Sequence, residues 1–422
     1  MSLWHDEGQG DGSNGTERAV LVGAGEVRLL DELERLASTL EVQVVGRLEQ
    51  AQRDPRGYLG KGKRQELRDL VADTEAAMVI TDDELTASQA RVLERDAGTT
   101  VVDRTEAIIR IFELHARDRA SRLEVELADL SYRLPRVKGR NEALSRLGGG
   151  GVTTRGPGEQ QLEYDRRIIR NRMRAIEKRL KEEKSGREVR RARLEGGLMP
   201  RVALVGYTNA GKTTILNALS GEHRSTADRL FETLATTTRV VEGGDGASGH
   251  RGSVSEADFV LTDTVGFIRK LPTQLVHSFA STLESATSAD VVVLCADAGS
   301  EELDEEIQTV RKTLGVPEDI LCLNKVDVLD GATRSKLEAA FPDAVLISAI
   351  EDASPLLGTI REVLARDRVR VRLLIPHAEY GQSTDLYGKA EIHSREDIED
   401  GLIMDVTMPK RLLSRYLRFT TS

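Results

Sequence analysis

Arg201-Val-Ala-Leu-Val-Gly206-Tyr207-Thr208-Asn209-Ala210-Gly211-Lys212-Thr213 places a glycine-rich turn directly after an apolar strand, and a helix-forming run begins at Thr214. That is the order of a phosphate-binding loop. Gly206 and Gly211 let the backbone curl so that successive N–H groups point inward at phosphate oxygens. Lys212 then reaches the β and γ phosphates, and the Thr213 hydroxyl suits a Mg²⁺ ion. The helix adds its positive end. The expected core is a doubly wound α/β sheet with the turn at the carboxyl end of a strand.

The base is chosen further along, where Leu321-Cys-Leu-Asn324-Lys325-Val326-Asp327 puts Asn-Lys-x-Asp at the end of another apolar run. The Asp327 carboxylate can accept from N1–H and N2–H₂ of guanine together, whereas adenine offers an acceptor at N1 and no amine at C2 and leaves the charge unpaired. Asn324 is expected to tie this loop to the phosphate loop while the Lys325 stem lies along the base. Ser348-Ala349-Ile350, after Ala344-Val-Leu-Ile347, suits a last guanine-contacting element read through backbone N–H groups.

Between the two lies Asp263-Thr264-Val265-Gly266, closing the apolar run Phe259-Val-Leu-Thr. It offers a carboxylate for the outer sphere of Mg²⁺ and a glycine N–H for the γ phosphate. Where some GTPases carry glutamine, the next residue is Phe267, whose ring cannot polarise water, so slow hydrolysis by the isolated chain is expected. Upstream, Phe231-Glu232-Thr233-Leu234-Ala235-Thr236-Thr237-Thr238 supplies four threonines for closing over Mg²⁺ and γ phosphate, and the residues themselves leave the choice open.

These stretches, with Thr236-Thr-Thr-Arg, Asp263-Thr-Val-Gly-Phe-Ile-Arg-Lys-Leu-Pro272, Arg155-Gly-Pro-Gly-Glu159, Gln161-Leu-Glu-x-Asp-Arg-Arg167, Tyr58-Leu-Gly-Lys-Gly-Lys63 and Asp82-Asp-Glu-Leu85, resemble the HflX GTPases of the translation-factor-related class over nearly the whole chain. The resemblance implies that Thr233 is the Mg²⁺ threonine. It also implies a partner, the large ribosomal subunit and its RNA, which completes the slow active site, and a role in separating stalled ribosomes. Thr213 stands where the family more often has serine, Thr153-Thr154 replaces a shorter glycine-containing link, and Ala235 replaces an acidic residue.

A length of 422 residues exceeds one domain, and 39% hydrophobic content suffices for several cores. The longest apolar runs, such as Val291-Val-Val-Leu-Cys-Ala296, have strand length, so no membrane span and a cytoplasmic monomer are expected. Cys295 and Cys322 fall in core strands and read as reduced, packed thiols. The net charge of −10 argues against a general nucleic-acid surface, yet Arg133, Arg136, Lys138, Arg140, Arg146 and Arg155 share one stretch with the single acid Glu142. Lys61 and Lys63, on a glycine turn at a helix start, are further candidates for RNA phosphate.

The expected organisation is a disordered tail over 1–18 and a parallel α/β domain over 19–115, whose Gly23-Ala-Gly25 is a structural turn rather than a dinucleotide site. An antiparallel helical hairpin with a basic, Gly-rich tip follows over 116–197, then the GTPase domain over 198–367 and a small α+β appendage over 368–422. In the hairpin, Pro135 ends the first helix and Gly156-Pro-Gly158 precedes the second. Val240 to Asp258 reads as a Gly-rich loop. Two other functions stay open: an ATP-using RNA-remodelling enzyme with adenine nucleotide in the amino-terminal domain, and a GTP signalling switch that binds proteins only.

Overall fold

The computed structural model describes residues 16–25, 30–116, 118–139, 157–194, 199–221, 231, 237–242, 259–270, 286–366, 368–387 and 390–421. Residues 1–15, part of the expected disordered tail, lie outside these, as does most of the basic tip. Two compact units emerge.

The first unit is built on β1 (Arg18–Ala24), β2 (Gln43–Gln50), β3 (Met78–Thr81) and β4 (Thr100–Asp103), all parallel, in the order β2-β1-β3-β4. Helices α1 (Leu30–Thr39), α2 (Lys61–Thr74), α3 (Ala87–Ala97) and α4 (Arg104–His115) connect and cover the strands. Strands β1 and β3 are apolar along most of their length because parallel strands are covered on both faces. Gly25 has φ +116, the turn expected after β1. The two amino-terminal stretches that carry part of the resemblance meet in space: the Tyr58 hydroxyl donates to Asp83 Oδ2 at 2.9 Å. Beside them the buried Arg104 guanidinium donates to Asp82 Oδ1 and Glu32 Oε2, each at 2.7 Å.

Helix α5 (Arg119–Arg133) starts later than its apolar spacing from Ala116 suggested, because Asp118 caps it, Oδ1 accepting from the N–H groups of Ala120 and Ser121. Helix α6 (Pro157–Leu194) starts earlier than expected and takes in Pro157 and Gly158. Proline fits a first helical turn, where its missing N–H has no intrahelical partner. Glu126 of α5 pairs with Arg172 of α6 at 2.7 Å, and Arg119 pairs with Glu183 at 3.5 Å, so one number falls as the other rises, as in an antiparallel hairpin.

The second unit contains a six-stranded sheet, β5 (Arg201–Gly206), β6 (Thr237–Val241), β7 (Phe259–Asp263), β8 (Val291–Asp297), β9 (Ile320–Asn324) and β10 (Val345–Leu346), in the order β10-β9-β8-β5-β7-β6. All are parallel except β6, antiparallel to β7. Val240 and Val241 therefore belong to an edge strand, not to the expected loop; residues 243–258 lie outside the description. Helices α7 (Lys212–Ser220), α8 (Leu303–Leu314), α9 (Gly331–Ala340) and α10 (Ser354–Arg366) complete this layer structure. The chain leaves β5 toward one edge of the sheet and resumes on its other side at β8, so the turn after β5 stands at the topological switch point, where α/β sheets bind ligands.

The chain ends in an antiparallel sheet, β11 (Arg368–Ile375), β13 (Gly401–Pro409) and β12 (Glu391–Ile398) in that spatial order, with α11 (Gly381–Leu386) and α12 (Lys410–Tyr416). Leu373, Ile375, Leu402, Met404, Val406 and Tyr416 form its own core, which makes it the α+β appendage expected. Among the described residues, no helix is long and apolar enough to cross a membrane.

Candidate functional site

Glycine is required twice in the turn after β5 by close approach. A Cβ on Gly206 would lie 2.1 Å from the Cys295 carbonyl oxygen of β8. One on Gly211, which also has φ +84, would lie 2.2 Å from Asn324 Nδ2. That empty space lets Asn324 act as a joint: its Nδ2 donates to Ala210 O at 3.0 Å, and its Oδ1 accepts from Ala349 N at 2.9 Å. One buried amide thus joins the phosphate loop, the Asn-Lys-x-Asp strand and the Ser348-Ala349 loop. The Ala349 N–H is committed to this joint rather than facing a base; Ser348 is buried, while Ile350 is 75% exposed beside it.

Lys212, at the start of α7, is buried, and its ammonium donates to Gly206 O at 3.1 Å and Tyr207 O at 2.8 Å. Burial pushes its pKa down, opposed by the nearby Asp263 carboxylate. The next residue, Thr213, donates from Oγ1 to Asp263 Oδ2 at 2.7 Å. A hydroxyl and a carboxylate side by side are hard oxygen groups of the kind Mg²⁺ takes, so these residues fit that ion. The Thr264 hydroxyl turns the other way, donating to Leu204 O at 2.7 Å, and Val265 is buried. A Cβ on Gly266 would stand 2.8 Å from Thr208 Cα and 3.1 Å from Lys212 Nζ, so this glycine packs directly against the phosphate loop.

Phe267 is buried and belongs to the core cluster that includes Tyr207, Ala296, Leu303 and Ile307. Its backbone pairs with the phosphate loop, Phe267 N donating to Gly206 O at 3.0 Å and Thr208 N to Phe267 O at 2.7 Å. Phe231 is buried with φ +60. Glu232, Thr233, Leu234, Ala235 and Thr236 lie outside the described residues. Thr237 and Thr238 belong to β6, with the Thr238 hydroxyl 3.4 Å from that of Thr262, so the sheet holds them.

In the base loop, Asp327 is exposed and Lys325 holds φ +67. Sequence reasoning missed Asp297, the last residue of β8, whose Oδ2 lies 2.8 Å from Lys325 Nζ and whose Oδ1 accepts from Gly299 N at 3.0 Å. Its one signal was an acid directly ending an apolar strand. Cys295 and Cys322 are buried, cross-strand neighbours, and the hydrogen bond with Cys295, together with burial, holds the Cys322 thiol pKa well up, as expected of reduced, packed residues.

The RNA candidates fare unevenly. Arg136 is no part of a free basic tip: it donates to Asp103 Oδ2 at 2.9 Å, Leu85 O at 2.7 Å and Tyr132 O at 2.9 Å, and its guanidinium carbon lies 3.5 Å from the Tyr132 ring centroid. Three acceptors and a ring hold it more firmly than solvent would. Lys61 is exposed at the first turn of α2, and Lys63 pairs with Glu66 at 2.8 Å. The Lys138 side chain, Arg140, Arg146 and Arg155 lie outside the described residues.

Fold and site together define a P-loop GTPase. By sequence, residues 28–113 match the family described as GTP-binding GTPase N-terminal, residues 115–193 the GTP-binding GTPase Middle Region, and residues 201–325 the 50S ribosome-binding GTPase family. The GTPase HflX of Caldanaerobacter subterraneus subsp. tengcongensis is 38% identical over 431 residues, taking in 100% of this chain and 97% of that protein. That of Alkalihalophilus pseudofirmus is 44% identical over 347 residues, 79% of this chain and 78% of its own. A solved GTP-binding protein from Sulfolobus solfataricus, in complex with GDP, is 23% identical with a TM-score of 0.42, covering 83% of this chain and 98% of that one. The chain belongs to the HflX family of GTPases, and it binds and hydrolyses GTP.

Proposed function

We propose that the chain is a cytoplasmic GTP-driven factor that works on the large ribosomal subunit and separates or rescues stalled ribosomes. The observation that carries the nucleotide reading is the Asn324 joint, which brings the loops for phosphate and base to one place. In this reading the N–H groups from Tyr207 to Gly211 cradle the phosphates, Lys212 meets the β and γ phosphates, and Gly266 offers its N–H to the third. Asp327 reads the guanine edge while the Lys325 stem lies along the ring. Thr213 and Thr233 would hold Mg²⁺, with Asp263 as the supporting carboxylate, and the ion would supply neutralisation of phosphate charge. Phe267, buried in the core, leaves water orientation to the partner.

The ribosomal half of the proposal is supported by the family described as 50S ribosome-binding over residues 201–325. Lys61, Lys138, Arg140, Arg146 and Arg155 are the proposed RNA contacts, with Lys63 behind them. Phosphate release measured with and without purified large subunits tests it: stimulation of at least about tenfold is expected, a threshold well below the roughly 10³- to 10⁵-fold that other GTPases gain when a missing catalytic group is supplied. Equal rates, together with failure to co-sediment with large subunits in GTP, would remove the ribosome from the mechanism.

A further inference from the structure

The segment that leaves the site after Gly266 is fastened on both sides. Toward the phosphate loop, Phe267 makes its two backbone hydrogen bonds to Gly206 and Thr208, and Arg269 N donates to the Tyr207 hydroxyl at 2.6 Å. Toward α8, the Arg269 guanidinium forks onto Glu302, Nη1 lying 2.9 Å from each carboxylate oxygen, and Nη2 donates to Glu305. Glu302 immediately precedes α8, and Glu305 lies in its first turn. Two acids three positions apart, at the N-cap and in the first turn of one helix, thus receive a single planar cation, an arrangement that fixes direction as well as distance.

From this we infer that Arg269 is a positioning residue for hydrolysis: its clasp on Glu302 and Glu305 holds the backbone at Gly266 in place for the third phosphate. Gly266 has no side chain and Phe267 keeps its own in the core, so at these two positions it is backbone groups that can face the reacting phosphate. Such groups act on a transition state through being already oriented, which makes the anchoring of their strand part of the chemistry. GDP has no third phosphate. Loosening the clasp therefore lowers turnover and leaves GDP affinity as it was. The inference rests on the reading of Gly266 as the γ-phosphate contact, so the test carries a control for that reading.

Single-turnover GTP hydrolysis and equilibrium GDP binding are measured on the full chain for Arg269→Ala, Arg269→Lys, Glu302→Gln and the exchange Arg269→Glu with Glu302→Arg. Arg269→Ala is expected to lower the rate constant about tenfold or more with GDP affinity within about twofold, since small displacements of a positioned group carry costs of that size. Arg269→Lys, which keeps the charge but not the fork, falls between, Glu302→Gln moves in the same direction, and the exchange recovers part of the loss. Gly266→Ala is the control. If it too hydrolyses at the wild-type rate, the γ-phosphate reading fails; if it is slow while the Arg269 and Glu302 variants match wild type, the clasp alone is overturned. Loss of GDP binding in parallel with turnover, or a rate increase, also overturns it.

Discussion

Lys325 Nζ lies 2.8 Å from Asp297 Oδ2, joining the base-reading loop to the end of the neighbouring strand β8. Because Lys325 holds a left-handed backbone, φ +67, its stem direction depends on such an anchor. Asp297→Ala is expected to weaken GDP and GTP alike, with turnover at saturation unchanged, since the base is common to both. Both partners are partly exposed, so the loss is modest, about 0.5–1 kcal/mol or two- to fivefold. Titration with a fluorescent guanine nucleotide checks this; a fall in turnover with unaltered affinity would place Asp297 elsewhere in the mechanism.

Gly211→Ala meets two obstacles at once, a φ of +84 and Asn324 Nδ2 standing 2.2 Å from the new Cβ. The amide must withdraw and the joint to Ala210 opens. GDP affinity is expected to drop by at least roughly tenfold, consistent with strain of about 1–3 kcal/mol. A variant that binds GDP as wild type does would show that the joint is dispensable.

Asp327→Asn should shift preference from guanine toward xanthine nucleotides. The amide donor can meet xanthine O2, while the guanine amine loses its acceptor. Competition between XTP and GTP reads the change directly, and undiminished GTP preference would sink the guanine assignment.

In the first unit, burial pushes the Asp129 carboxyl up to about 6, against the pull of Arg133, with Glu113 and Glu106 adding to the rise. The folded value lies above the ordinary 3.8, so the stabilisation is fully present below pH 3.8 and lost as pH rises through about 6. Asp129→Asn should therefore stabilise α5 at pH 7.5, by roughly 1–2 kcal/mol, and change little at pH 4. Hydrogen exchange of the α5 amides measures both; an equal effect at the two values would rule out titration of Asp129 as the cause.

The sequence alone was enough for the order of motifs and the class of fold. A phosphate cradle needs contiguous N–H groups between a strand and a helix, so its residues must be neighbours in the chain, and Gly206 to Thr213 could be read directly. The same holds for the apolar strands, whose short runs carry their own pattern, and less well for helix ends, where Asp118 and Pro157 moved α5 and α6 from their expected limits. Spatial partners were another matter. Asn324 and Ala210 stand 114 positions apart, and the emptiness over Gly211 that lets them meet exists only once β5 and β9 share a sheet. Arg136 looked like one more cation in a basic stretch until folding put Asp103, Leu85 and the Tyr132 ring around it. Arg269 and Asp297 gained their roles the same way, from carboxylates and a lysine on other elements. A charge's partner is set by distance through space, at a few ångströms, and no local pattern of residues encodes that distance.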